Sequence, residues 1–243
     1  MYTLLALALS LGLSQAQFQT FLTRPDITGA VAIQVATGFN ATNLANGYYF
    51  ITPYVSDFSK SAYGGQIVDQ TGQLVWYSNE TVQVRGMDMQ VCDFDNHGVG
   101  NHICYNDALP VLPQGGHSAG NIRFFDNTYN QVGGSDYGAT NGLQGPDIHE
   151  LRTPNAGDGN SFIQDSYNKV TADLSQWNQS TNGTVWDGCF QEIDFVTRDV
   201  LFQWCSLDHV ALNETYAFMT NDPTEYHNGI DGNGTVDFPW DYA

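Results

Sequence analysis

Gln66-Ile67-Val68-Asp69-Gln70-Thr71-Gly72-Gln73-Leu74-Val75-Trp76 reads as a strand, a tight turn and a second strand. Apolar and β-branched residues flank Asp69-Gln70-Thr71-Gly72, a cluster of turn formers. The unit returns as Glu192-Ile193-Asp194-Phe195-Val196-Thr197-Arg198-Asp199-Val200-Leu201-Phe202-Gln203-Trp204, with one extra turn residue. A looser third copy runs from Asn121-Ile122-Arg123-Phe124-Phe125-Asp126 through Asn130-Gln131-Val132. In each copy an Asp closes the first strand, placed to accept N–H groups of the turn. In two copies a Trp ends the second strand and offers a large apolar surface for packing between sheets.

The three Asp positions, 69, 126 and 194, lie 57 and 68 residues apart, which suits propeller blades carrying loop insertions. A β-sandwich also contains hairpins, but not a recurring strand, Asp turn and Trp-ended strand. The expected fold is all-β, an incomplete β-propeller of about three to four antiparallel blades. The rest of the chain agrees. Turn residues are spread throughout, aromatic residues make up 13%, and no segment keeps a 3.6-residue apolar period over three turns.

The cysteines fit the hairpin pattern. Cys92 and Cys104 flank a polar loop, and Cys189 and Cys205 flank the Glu192 repeat. Four cysteines allow three connectivities. The local pairing, 92 with 104 and 189 with 205, is the expectation, since each bond then closes two neighbouring strands.

An even cysteine count suits an oxidising compartment, and two further signals point the same way. Leu4 to Leu13 form a short apolar run ending in Ser14-Gln15-Ala16, a small-x-small cleavage pattern before Gln17. Residues 1–16 are therefore expected to be a signal peptide, cut between Ala16 and Gln17, with the mature domain spanning 17–243. The alternative is a buried first strand or helix. Six Asn-x-Ser/Thr sequons stand at Asn40, Asn79, Asn178, Asn182, Asn213 and Asn233, none with Pro in the middle. A secreted, disulfide-bonded glycoprotein is expected. Seven basic residues against 26 acidic ones give a net charge of −19. Such a surface repels phosphate backbones and anionic lipid, so neither nucleic acid nor a membrane surface is an expected partner.

Several blocks, in order, resemble a known family. They are Phe21-Leu22-Thr23-Arg24-Pro25-Asp26-Ile27, Gly47-Tyr48-Tyr49-Phe50-Ile51-Thr52-Pro53-Tyr54, and Gly72-Gln73-Leu74-Val75-Trp76. Asp147-Ile148-His149-Glu150-Leu151, Asp187 to Asp194, Trp204 to Val210 and Pro239-Trp240-Asp241-Tyr242 follow. Together they resemble the N-terminal half of the fungal arylsulfotransferases. The resemblance implies a β-propeller that transfers a sulfuryl group from a phenolic sulfate to a phenol through a histidine. It also implies small aromatic sulfates and phenols as partners and no nucleotide sulfate donor, so no cofactor and no metal is expected. Such covalent catalysis needs an imidazole to attack and N–H or cationic groups to stabilise the sulfuryl oxygens.

The family pattern continues past P-W-D-Y into F-H-I-N, whereas here Ala243 follows Tyr242. A truncated and inactive chain is therefore the expectation, with the nucleophilic His among the later blades. Of the central polar residues, His149 is the one the resemblance places, as a sulfate ligand or as proton donor to the leaving phenolate. Its plain alternative is a His bonded to a turn carbonyl beside Glu150. An incomplete ring leaves apolar sheet faces open, so self-association through open propeller edges is expected.

Other motifs carry less. Gly116-His117-Ser118-Ala119-Gly120 spells the G-x-S-x-G of serine hydrolases, but that chemistry needs a strand before and a helix after Ser118. Asn121 to Phe125 reads as a strand instead. Asp93 to Gly98 imitates the opening of a calcium loop, yet its twelfth position is Cys104, so a solvated hairpin loop is the reading. His97, His102, His209 and His227 show no zinc spacing, and Asp208-His209 reads as a turn. Asp147 and Glu150 could form a glycosidase pair only at a separation the sequence does not give. The rival from another class is a non-catalytic secreted propeller that binds a glycan or a protein partner.

Overall fold

The computed structural model describes residues 25–27, 30–33, 36, 38, 40, 42, 45–53, 64–78, 85–94, 98–108, 117, 119–132, 137–154, 160–217, 232–237 and 239–241. Ala16, Gln17, Asn79, His97, Ser118 and His227 lie outside the described residues. Among the described residues there are eleven strands, short 3-10 turns and no α-helix. The all-β expectation holds.

The strands form three sheets. The first contains β1 (Tyr48–Ile51), β2 (Gln66–Asp69) and β3 (Leu74–Tyr77). The second contains β4 (Arg85–Phe94), β5 (Gly98–Ala108) and β6 (Gly120–Phe125). The third contains β7 (Leu151–Arg152), β8 (Ser161–Ala172), β9 (Gly183–Asp194) and β10 (Val200–Cys205), in the order β10-β9-β8-β7. All these pairings are antiparallel. β11 (Trp240–Asp241) adds in parallel to β9 at Val185 and Trp186, past the point where β10 ends opposite Cys189.

The expected turn chemistry is present in all three hairpin units. Asp69 Oδ1 accepts the N–H of Thr71 at 2.8 Å and of Gln73 at 3.0 Å. Asp126 Oδ1 does the same for Thr128 and Asn130, and Asp194 Oδ1 for Val196 and Thr197. The Thr71 hydroxyl, which also donates to Asp69 Oδ1, and then the Gln73 N–H hold the Asp69 carboxyl below the usual carboxylate range, and the Thr197 N–H does so for Asp194. Each turn also passes through left-handed backbone, at Gly72 (φ 82°), Tyr129 (φ 63°) and Arg198 (φ 68°). A bulky residue there is strained, and both larger side chains pack on aromatic rings. Tyr129 stacks on Trp76 of the first sheet at 5.6 Å, and Arg198 lies over the ring of Tyr137.

Two expectations about these units are corrected. In the Asn121 unit the returning segment forms no strand among the described residues and keeps two isolated bridges, Phe125 to Gln131 and Ile122 to Tyr137, with the Val132 N–H donating to the Phe124 carbonyl at 2.8 Å. Trp204 does not pack between sheets. It lies half-buried on the outer face of the third sheet, stacked on Phe190 at 5.5 Å and on His209 at 5.3 Å.

The sheets stack in chain order, the second between the other two. Ile67 meets Met89, Tyr105 and Phe125 across the first interface, with Trp76 at its edge. Cys92, Cys104, Ile122 and Phe124 meet Leu151, Phe162, Ile193 and Phe195 across the second. Phe124 anchors it, with ring centroids 4.6 Å from Tyr137, 5.1 Å from Phe195 and 5.4 Å from Phe162. Burying such rings accounts for most of the holding energy, roughly 2–3 kcal/mol each. The disulfides pair Cys92 with Cys104 and Cys189 with Cys205, each between adjacent strands. Asp93 and Phe94 end β4 and Gly98 opens β5, so these residues are strand rather than loop, and residues 95–97 lie outside the described set. No closed ring of sheets is formed among the described residues.

Candidate functional site

The site is built on β8 and on the segment leading into β7. Along β8, Ile163, Asp165 and Tyr167 face one way, while Phe162, Gln164, Ser166 and Asn168 face the second sheet. Polar residues on the buried face are answered by the 140–145 segment. Ser166 Oγ donates to the Gln144 carbonyl at 2.8 Å, and Gln144 N–H to Asn168 Oδ1 at 2.6 Å. The fully buried Gln191 exchanges bonds with both backbone groups of Thr140. This amide network, in which Gln164 Oε1 stays without a partner among the described residues, ties down the loop that delivers Asp147.

Asp147 is fully buried, and its N–H donates to the Asp165 carbonyl at 2.9 Å. Its Oδ2 receives the His149 ring through Nδ1 and the His149 backbone N–H at 3.3 Å. The His149 side chain nevertheless remains 56% exposed. A carboxylate on Nδ1 fixes the tautomer and leaves Nε2 to exchange protons with a bound molecule. β7 is held from the second sheet by Asp88, which sits in left-handed backbone (φ 53°) where the β4–β5 register slips. Asp88 Oδ2 accepts the Leu151 N–H at 3.1 Å, and Gln90 Nε2 donates to the Leu151 carbonyl at 2.8 Å. A bulge here re-aims a side chain toward the site.

Asp165 stands beside this pair. Burial, and then the negative charge of Asp147, push its carboxyl up to about 6. Its Oδ1 is buried and has no hydrogen-bond partner among the described residues. Tyr167, two residues on, is pushed up to about 12, first by burial and then by Asp165, Asp147 and Asp241. A second, buried histidine packs on that tyrosine. His117 stacks on Tyr167 at 3.8 Å, meets Trp186 edge-on at 5.3 Å, and pairs through Nε2 with Asp241 Oδ2 at 3.0 Å. Both partners of that pair are buried.

A shallow cavity of about 290 Å³ opens next to Asp165, lined by Glu150, Arg152, Ile163, Gln164 and Phe190. Arg152 donates to Glu150 at 2.6 Å on the surface, and that carboxylate raises the guanidinium further above its ordinary value. One ligand atom from each of Asp147, His149 and Asp165 falls within 4.8 Å of the others. They could hold a divalent cation only by giving up the His149–Asp147 bond. Asp187, Cys189 and Cys205 form a second such group, but its sulfurs are joined in a disulfide and cannot act as thiolate ligands.

The resemblance placed His149, and it lies in this site. Asp165, Tyr167, His117 and Asp241 were missed. Of these, His117 had a signal in a motif read for its serine, and Asp241 stood in the Pro239 to Tyr242 block with no role assigned to it. β6 begins at Gly120, so a strand follows Ser118 where a nucleophile elbow needs a helix. The Asp187 to His209 block is structural. Asp187 Oδ1 accepts Ser206 Oγ at 2.7 Å and the Leu207 N–H at 2.9 Å, and a 3-10 turn over Ser206–Asp208 follows.

Stacked antiparallel sheets that hold an Asp-bonded histidine beside a half-buried carboxyl define an all-β protein. The chain belongs to the arylsulfotransferase (ASST) family, whose model matches residues 100–243. That span includes every residue of the site just described, apart from the Asp88 and Gln90 supports on β4. No curated protein and no solved structure matches the chain.

Proposed function

We propose that these sheets are blades of a secreted β-propeller that carries out sulfuryl transfer from a phenolic sulfate to a phenol. In this reading His149 handles the proton of the phenolic oxygen. The observation that carries it is an exposed imidazole fixed through Nδ1 by a fully buried Asp147. With Nδ1 held, Nε2 can give a proton to the leaving phenolate and take one from the incoming phenol. The family membership supports the reaction class. The stacking of the three sheets in chain order supports the propeller.

The charge balance defines the conditions. An aryl sulfate is an anion, and Asp147, Asp165 and Glu150 oppose it, while a protonated His149 and Arg152 favour it. Protonation of Asp165 below about pH 6 removes one opposing charge. The test is transfer from 4-nitrophenyl sulfate to a phenol, followed by nitrophenolate release. His149→Ala should abolish transfer while the chain keeps its fold, with a lowered unfolding midpoint because the buried Asp147 loses its ring partner. Normal transfer by that variant would remove His149 from the chemistry.

A further inference from the structure

Four of the six sequons converge on one small apolar cluster at the end of the third sheet. The cluster is Leu174, Val185 and Trp240, fully buried, with Trp177, Val210 and Leu212 packed around it. Each sequon touches it through its own backbone or nearest neighbour. The sequon Asn178-Gln179-Ser180 wraps Leu174, whose N–H donates to the Ser180 carbonyl and whose carbonyl accepts the Gln179 N–H. Gly183 belongs to the Asn182 sequon, and a Cβ there would stand 2.3 Å from Leu174 Cδ1. Gly234 belongs to the Asn233 sequon, and a Cβ there would stand 2.5 Å from the same atom. Those two segments are bonded together, Thr184 N–H to the Gly234 carbonyl at 2.8 Å. Asn213 follows Leu212, which packs on the cluster.

The asparagines themselves are presented outward. Asn178, Asn182 and Asn213 are exposed and Asn233 is half-buried. Asn178 ends a 3-10 turn in left-handed backbone (φ 58°), a conformation that Asn adopts more readily than most residues. Asn233 Oδ1 accepts both the Thr235 N–H at 3.1 Å and its hydroxyl at 2.8 Å. That geometry leaves the side-chain nitrogen of Asn233 unengaged by these bonds and available as the acceptor of a glycan. The apolar rim, by contrast, is incompletely covered. Tyr216, three residues after Asn213, is fully exposed, and Val236, three residues after Asn233, is 70% exposed.

We propose that Asn178, Asn182, Asn213 and Asn233 carry N-linked glycans that form a single cap over this end of the third sheet. The sugars shield the rim around Trp177 and Tyr216 from other chains. The cap lies roughly 23 Å along β8 from Asp165, at about 3.3 Å per residue, so it leaves the His149 site uncovered. The inference rests on export, and one experiment separates the two. The full chain is produced in a eukaryotic secretory host, and medium and cells are recovered separately. Peptide N-glycosidase in heavy-oxygen water then marks each occupied asparagine as a heavy aspartate. Secreted protein with all four positions marked is the expected result. Secreted protein bare at these positions overturns the cap while export stands; unglycosylated protein retained in the cells overturns export and the cap together. The shielding role has its own readout, native deglycosylation of the secreted protein followed by light scattering. Self-association on removal of the sugars is expected, and an unchanged monodisperse species overturns it.

Discussion

Replacing Asp165 by Asn should raise the stability of the folded chain at neutral pH and leave it nearly unchanged in mild acid. In the folded state burial and the adjacent Asp147 keep the Asp165 proton on until about pH 6, against a reference of 3.8 for the free side chain. The native state therefore binds the proton more tightly than the unfolded one. Below about pH 4 Asp165 is neutral in both states and costs nothing. Between about pH 4 and pH 6 the unfolded chain gives up this proton and the folded one does not, so stability falls as pH rises. Above that window the loss is complete, about 3 kcal/mol for a difference of this size. Asp165→Asn keeps the shape and removes the titration. The difference in unfolding free energy between variant and parent should then grow from near zero at pH 4 to about 3 kcal/mol at pH 7. Subtracting the parent matters because Asp69, Asp173 and Asp194 act oppositely. Their lowered values stabilise the fold above the free-carboxyl range and lose that effect as pH falls. Urea unfolding at pH 4, 5, 6 and 7 gives the curve. An identical difference at pH 4 and pH 7 would refute a proton held on Asp165 by its surroundings.

Three other perturbations separate site chemistry from packing. Asp147→Asn should cut transfer on the order of 10²- to 10⁴-fold, because His149 loses the anion that fixes its tautomer; steady-state rates equal to the parent's would dismiss that support. His117→Ala strands a buried carboxylate at Asp241 and should cost about 3–5 kcal/mol, with the double variant His117→Ala, Asp241→Asn recovering part of it. Equal losses in the single and double variants, by chemical denaturation, would show that the pair is not coupled. Gly183→Ala drives a methyl into the buried Leu174 side chain and should lower stability by about 1–3 kcal/mol; a neutral result would mean the cluster repacks without strain.

What could be read before folding was local. Turns closed by an Asp that binds the next few N–H groups depend on residues within about five positions. The pairings Cys92–Cys104 and Cys189–Cys205 span 12 and 16 positions along hairpins, so chain proximity alone brings the thiols together. The family blocks likewise singled out His149 as a candidate. Trp204 shows the limit of that reading. The repeat unit places a Trp at the end of its second strand, but whether the ring is covered depends on which sheet comes next.

The rest of the site belongs to tertiary structure. His117 and Asp241 meet across 124 positions, through a parallel strand that attaches to the free edge of β9. No periodicity announces such a contact. β8 alternates polar residues on both of its faces, so nothing in its composition separates the buried Gln164 and Ser166 from the site-facing Asp165 and Tyr167. Their roles diverge only when the second sheet packs against one face. The same packing removes water from Asp165 and sets it beside Asp147, and that desolvation moves its proton toward neutral pH. Residue types supplied the carboxyl and imidazole groups; the stacking of sheets decided which are neighbours, which are dry and which remain open to a substrate.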